Sequence, residues 1–216
     1  MNRVRQLSRW TSCMAAMVGL IAAMPAGATV IYSNLGPGDA FDTTQGVLAG
    51  SFAGPSVDQA TSWESPDSYF LDTIEVALRS FSGSATVQVI VATNLSGGAG
   101  PIQIVDVDQV TAPTSAGLVT ASFGGVTLLA ANQPYWVIVR ALGGTGSAVG
   151  WQFNSTDISG ERASSSDGGA TWSASFGAQP ALRVSGTLVP EPTTALLLGV
   201  GLAALATQRR GATRPD

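Results

Sequence analysis

No histidine and no lysine occur anywhere in the 216 residues, and the one cysteine is Cys13. These absences remove whole classes of chemistry. A Ser-His-Asp triad, a Cys nucleophile, a His/Cys zinc site, a lysine Schiff base and a Ser-Lys dyad all need side chains that this chain lacks beyond residue 13. Disulfides are excluded on the same ground, so any fold must be held by its core. What remains is carboxylate chemistry, hydroxyl nucleophiles and oxygen-ligated metals.

Positive charge is scarce and unevenly placed. All ten basic residues are Arg, and six lie near the ends: Arg3, Arg5, Arg9, Arg209, Arg210 and Arg214. Between residues 29 and 189 only Arg79, Arg140, Arg162 and Arg183 stand against twelve acids, a net charge of −8. Such a segment repels phosphate backbones, which argues against nucleic acid as a partner. Charged residues make up only 11% of the chain while Gly, Ser, Thr and Ala abound, a balance that suits an exported β-domain.

Both ends carry the apolar runs that the middle avoids. Residues 1–10 form a basic stretch with three Arg and no acid, and an apolar run follows over 13–24. Pro25 breaks it, and Ala26-Gly27-Ala28 supplies the small-x-small pattern that a signal peptidase pocket admits. Residues 1–28 therefore read as a signal peptide cleaved after Ala28, with Ala26 and Ala28 as the peptidase site. Cys13 opens the apolar run instead of ending it, so it does not read as a lipidation site. At the other end, Val189-Pro190-Glu191-Pro192 is followed by an apolar run over 195–206 and then Arg209-Arg210. The prolines end the preceding strand and keep the approach extended. The apolar run is shorter than a full span of roughly 20 residues, yet flanking Thr and snorkelling Arg side chains extend its reach. Arginines after the run place the tip, 211–216, in the cytoplasm.

This tripartite tail resembles the PEP-CTERM sorting signal, a tail that is also labelled an ice-binding-protein C-terminal domain. The resemblance covers 189–210 and implies a membrane exosortase as the processing partner. It further implies transient anchoring in the inner membrane, then release or attachment in the outer envelope or extracellular matrix. Val189, Pro190, Glu191 and Pro192 are the sorting motif on this reading.

Residues 29–188 read as a single all-β domain. Alternating or β-rich runs fall at 30–32, 46–52, 57–63, 70–79, 85–93, 102–107, 119–123, 126–130, 135–140, 148–153 and 181–188. Turn residues separate them at the spacing of a sandwich or barrel. In 70–79, Leu71, Thr73, Glu75 and Ala77 are expected on the face opposite Phe70, Asp72, Ile74, Val76 and Leu78. The only helices expected are the N-terminal signal helix and the C-terminal transmembrane-like helix. Four stretches are similar to the choice-of-anchor R domain: Phe70-Leu71-Asp72-Thr73-Ile74-Glu75-Val76, the run from Leu129 through Pro134-Tyr135-Trp136 to Val139, Gly150-Trp151, and Asp167 through Trp172 to Gly186. That resemblance implies a jelly-roll-like β-sandwich and brings no catalytic residues.

Candidate sites are few. Ser165-Ser166-Asp167-Gly168-Gly169-Ala170-Thr171-Trp172 fits the Asp-box pattern Ser-x-Asp-x-Gly-x-Thr-Trp, which is expected to be a structural hairpin turn: Asp167 accepts loop N–H groups, the glycines take positive φ, and Trp172 anchors the turn by packing. Trp63, Tyr135, Trp136, Trp151 and Trp172 are expected to serve core and turn packing; the alternative is stacking on an exopolysaccharide, with Trp63, Trp151 and Trp172 as the candidate exposed indoles. Tyr135 and Trp136 are adjacent in a strand and face opposite sides, with at most one of them expected fully in the core. Asp39, Asp42, Asp58, Asp106 and Asp108 are candidate ligands for a structural Ca²⁺, but they match no EF-hand or repeat loop, so no metal or cofactor is assigned. The expectation is an exported, non-enzymatic envelope protein, with a carbohydrate-binding module as the alternative.

Overall fold

The structure is a computed structural model and describes residues 27–81, 83–93, 100, 103–143 and 146–189. Every regular element among them is a β-strand. In chain order these are β1 (Thr29–Ser33), β2 (Phe41–Gly50), β3 (Asp58–Ser65), β4 (Tyr69–Ser80), β5 (Ala85–Thr93) and β6 (Gln103–Ala112), then β7 (Gly117–Leu129), β8 (Gln133–Ala141), β9 (Ala148–Asn154), β10 (Ser159–Ser165), β11 (Ser173–Ala178) and β12 (Leu182–Leu188). The helices expected over 13–24 and 195–206 lie outside the described residues.

The strands form two antiparallel sheets of six. The first runs β1-β12-β4-β9-β2, with β7 also paired to β4; the second runs β11-β10-β3-β8-β5-β6. From β2 onward the chain changes sheet at every connection except β5–β6 and β10–β11.

Period-2 alternation explains how the sheets meet. In β5, Ala85, Val87, Val89 and Val91 all point inward and are buried. They pack with Leu71, Ile74, Val76 and Leu78 of β4, Val137 and Val139 of β8, and Val149 and Trp151 of β9. Apolar side chains from both sheets thus share one core. The outer face of the second sheet is apolar too: Ala60, Ile90, Ala92, Trp136, Ile138 and Ala163 form a smaller buried cluster, with Trp172 packed against it. Tyr135 and Trp136 do face opposite sides, but both are buried, because the second cluster encloses the outward residue as well.

Several sequence expectations need correcting at the level of register. The alternation expected in β4 changes phase part-way. Leu71 is buried with Ile74, and Phe70 is only partly buried, because Asp72 is an extra residue where the ladders to β7 and β12 both shift. The runs expected at 119–123 and 126–130 are one strand, β7, kinked at Gly124-Gly125, whose φ angles are +70° and +68°. β2 starts at Phe41 instead of residue 46 and stops at Gly50. Strands β10 and β11 flank the expected hairpin turn but are absent from the β-rich runs, because they are rich in Ser, Ala and Gly and short of β-branched residues. A tight corner precedes β8. Asn132 takes φ +54° there and donates its N–H to Ser65 O at 2.7 Å, while Tyr135 Oη accepts the Ala130 N–H at 2.6 Å.

Candidate functional sites: the Asp-box loop and the chain exit

The turn between β10 and β11 is built by two side chains. Ser165 Oγ accepts the Gly169 N–H at 2.8 Å and donates to Asp167 Oδ1 at 2.7 Å. Asp167 then accepts the Thr171 hydroxyl at 2.6 Å and the Thr171 N–H at 2.9 Å. These donors, the Thr171 hydroxyl foremost, hold the Asp167 carboxyl far below the usual carboxylate range. Gly168 and Gly169 sit at φ +73° and +90°, a region closed to most L-residues. A Cβ on Gly169 would also stand 3.0 Å from Arg140 Nη2. Trp172 closes the loop by donating Nε1–H to Gly169 O at 3.1 Å. Each role that the sequence pattern assigns to Asp167, the glycines and Trp172 is filled.

The loop is tied to the sheet by a residue that the sequence pattern does not pick out. Arg140, near the end of β8, donates Nε–H and Nη2–H to Asp58 Oδ2 at 2.9 and 2.7 Å, and Nη2–H also reaches Gly168 O at 2.8 Å. The Asp58 side chain is only 3% exposed and that of Arg140 25%. A nearly enclosed carboxylate is thus matched by a guanidinium that also pins the turn. The charges at 58 and 140 are visible in the sequence, but only the β3–β8 pairing brings them together. Beside this pair lies a cavity of about 110 Å³, lined by Ala92, Ile104, Ile138, Arg140, Gly169 and Trp172 among others.

The three candidate indoles separate. Trp63 and Trp151 are 4% and 0% exposed, so they pack in the core and their candidacy as ligand contacts is overturned. Trp63 stacks on Tyr135 at 5.5 Å between ring centroids, and Trp151 Nε1–H is bonded to Ala181 O at 3.0 Å. Only Trp172, half-buried at the cavity, can meet a ligand.

The five aspartates proposed as Ca²⁺ ligands do not gather. Asp39 pairs with Arg183, Asp42 accepts from Thr44 and Gln45, and Asp58 pairs with Arg140. Asp106 and Asp108 share a face of β6, as their spacing requires, and reach across to β7. Asp108 Oδ2 accepts the Ser122 N–H at 2.7 Å, and Asp106 accepts the Thr127 hydroxyl. Among the described residues, no three His, Cys, Asp or Glu side chains form a group able to hold a metal ion.

The second site is where the chain leaves the sandwich. β12 ends at Leu188, paired with Tyr69, and the Val189 N–H donates to Ser68 O at 2.9 Å. Thr29, the first residue of β1, pairs with Gly186. The segment that follows Ala28 and the segment that precedes Pro190 therefore lie on adjacent strands, within a few residues of one another. Pro190, Glu191, Pro192 and Ala26 lie outside the described residues; Ala28 is exposed just ahead of β1.

A family model described as the PEP-CTERM protein-sorting motif matches residues 188–210. The chain carries a PEP-CTERM sorting motif. It implies export by a membrane-associated sorting route, with an exosortase as the processing enzyme. Its first residues, Leu188 and Val189, are still hydrogen-bonded to the sheet. No curated protein matches the chain. Among the described residues no helix is long and apolar enough to cross a membrane.

Proposed function

We propose that the chain is a non-catalytic protein of the outer envelope or extracellular matrix, whose sandwich is the cargo of the sorting tail. The single observation that carries this reading is the PEP-CTERM motif over residues 188–210. Signal peptidase removes residues 1–28 after Ala28, and the run over 195–206 holds the precursor in the inner membrane. Exosortase then acts near Pro190-Glu191-Pro192. The adjacency of Thr29 and Gly186 is compatible with this reading, because the two terminal segments leave the domain side by side. The lack of His, Lys and Cys after residue 13 supports a non-catalytic role. The frequent change of sheet along the chain supports a jelly-roll-like connectivity.

Replacing Pro190, Glu191 and Pro192 together by Ala tests the sorting step. The expected result is a precursor of undiminished C-terminal mass that stays in the inner-membrane fraction. Normal processing of that variant would contradict the proposal.

A second reading, contact with an exopolysaccharide, keeps one residue in its favour. Trp172 borders a cavity beside the Arg140–Asp58 pair, and an indole face suits the C–H face of a sugar ring. The earlier candidates Trp63 and Trp151 drop out because they are core residues. A glycan array decides it: binding by the full chain that is lost in Trp172→Ala supports the reading, and binding to none removes it.

A further inference from the structure

The two sheets end in five edge strands, and four of them are shielded from further pairing. β1 shifts register between Val30 and Tyr32, and its Tyr32 turns toward Trp63 of the other sheet at 6.1 Å between centroids. β2 shifts between Phe41 and Gly46, and Gln59 Nε2–H occupies its Leu48 carbonyl at 2.8 Å. β6 and β7 face each other, with Asp106 and Asp108 reaching across to Thr127 and Ser122. Bulges, covered carbonyls and inward charges are the usual defences of a sheet edge.

β11 has none of these defences. Its ladder with β10 runs through six successive pairs without a shift. Its sequence, Ser-Ala-Ser-Phe-Gly-Ala, has no charge and no proline, and every residue but Gly177 is exposed. Phe176 is 74% exposed. Among the described residues no strand pairs with its outward side.

We propose that β11 is a docking edge for a second copy of this chain, pairing antiparallel about Phe176 to join the second sheets of the two copies. The strand is self-complementary in that register. Phe176 meets Phe176 of the second copy, Ala174 meets Ala178, and Ser175 meets Gly177, so an aromatic pair is flanked by small residues. Directly opposed aromatic residues are favourable cross-strand partners. Charge favours the same approach. A domain of net charge −8 repels its copy over most of its surface, but β11 presents no charge. The nearest acid, Glu161, lies opposite Phe176 on β10. In the pair, the two Glu161 residues stand three strand spacings apart, about 14 Å. That exceeds the screening length of about 8 Å at physiological salt. Six residues make a weak, concentration-dependent contact, which suits a protein displayed at high local density on a surface.

Sedimentation velocity of the full chain in detergent micelles over a concentration series tests this. The wild type is expected to pass from monomer to dimer. Phe176→Lys, which sets like charges opposite each other, is expected to weaken the dimer by about tenfold, whereas Phe176→Leu retains it. Near-UV circular dichroism checks that each variant is folded, and Ala178→Lys, on the same face, replaces Phe176→Lys if that variant does not fold. A wild type that stays monomeric overturns the proposal, including one that instead captures another protein's strand. Dimerisation unchanged in the folded Lys variant overturns it too, since the contact would then lie elsewhere. Tail processing is read separately by mass and is expected to be unaffected.

Discussion

Asp167 and Arg140 hold the same loop by different physics, and their substitutions should differ accordingly. Asp167 is exposed, and its low pKa reflects hydrogen bonds from Thr171 and Ser165. A carboxyl whose pKa is depressed on folding contributes stability that is present above its unfolded value, near 3.9, and is lost as pH falls toward the folded one. Asp167→Ala should therefore speed hydrogen exchange at Gly169 and Thr171 at neutral pH. The difference from wild type should shrink on acidification below about pH 4, as a pH series of exchange would show. Arg140 instead neutralises an enclosed carboxylate. Removing the guanidinium leaves the enclosed Asp58 carboxylate without its ion pair, so Arg140→Ala should destabilise the domain by about 1–3 kcal/mol in urea unfolding. Adding Asp58→Asn to that variant should recover part of the loss. The Asp-box was legible in the sequence because its bonds close within seven residues. The Arg140–Asp58 pair spans 82 positions and depends on which strands become neighbours. Which indoles lie in the core and which stay at the surface was not legible for the same reason: the burial of Trp63 and Trp151 is set by the facing sheet.

β5 shows what a strand needs to be legible: its bounds, 85–93, match the expectation because Ala85, Val87, Val89 and Val91 fall on every second position in a segment dense in β-branched residues. β7 shows what obscures one. Gly124-Gly125 has the composition of a turn, but here it makes a kink inside a continuous strand, opposite the extra residue Asp72 of β4. A Cβ at either glycine should be strained, and the two should differ in degree. An L-residue in this left-handed region costs about 1 kcal/mol, so Gly124→Ala should destabilise by that amount. Gly125→Ala should cost more, because its Cβ would stand 2.7 Å from Asp72 Oδ1. Thermal unfolding of the two variants checks the order. β10 and β11 stayed illegible because they are held by pairing with β3 and by the Asp-box turn, with few apolar anchors of their own. The same poverty in charge and bulk leaves β11 open to a second copy.

At the scale of the molecule, the address was more legible than the activity. The tail motif is local and ordered along the chain, and the family match over 188–210 bears it out. Of the domain's part the sequence states only that chemistry carried by His or Lys side chains is unavailable. The structure adds that the motif begins while the chain is still in the sheet, at Leu188 and Val189. An enzyme acting near Pro190 therefore works flush against the sandwich. Inserting a flexible Gly-Ser pair after Val189 should speed processing in a pulse-chase measurement, whereas an unchanged rate would mean that the fold does not hinder the enzyme. The central claim, that the sandwich is the cargo of a removable address, is tested most directly by the intact mass of the protein recovered from the envelope. The account predicts a chain that begins at Thr29 and lacks the residues after the Pro-Glu-Pro motif. A mass that retains the apolar run and Arg209-Arg210 would contradict it.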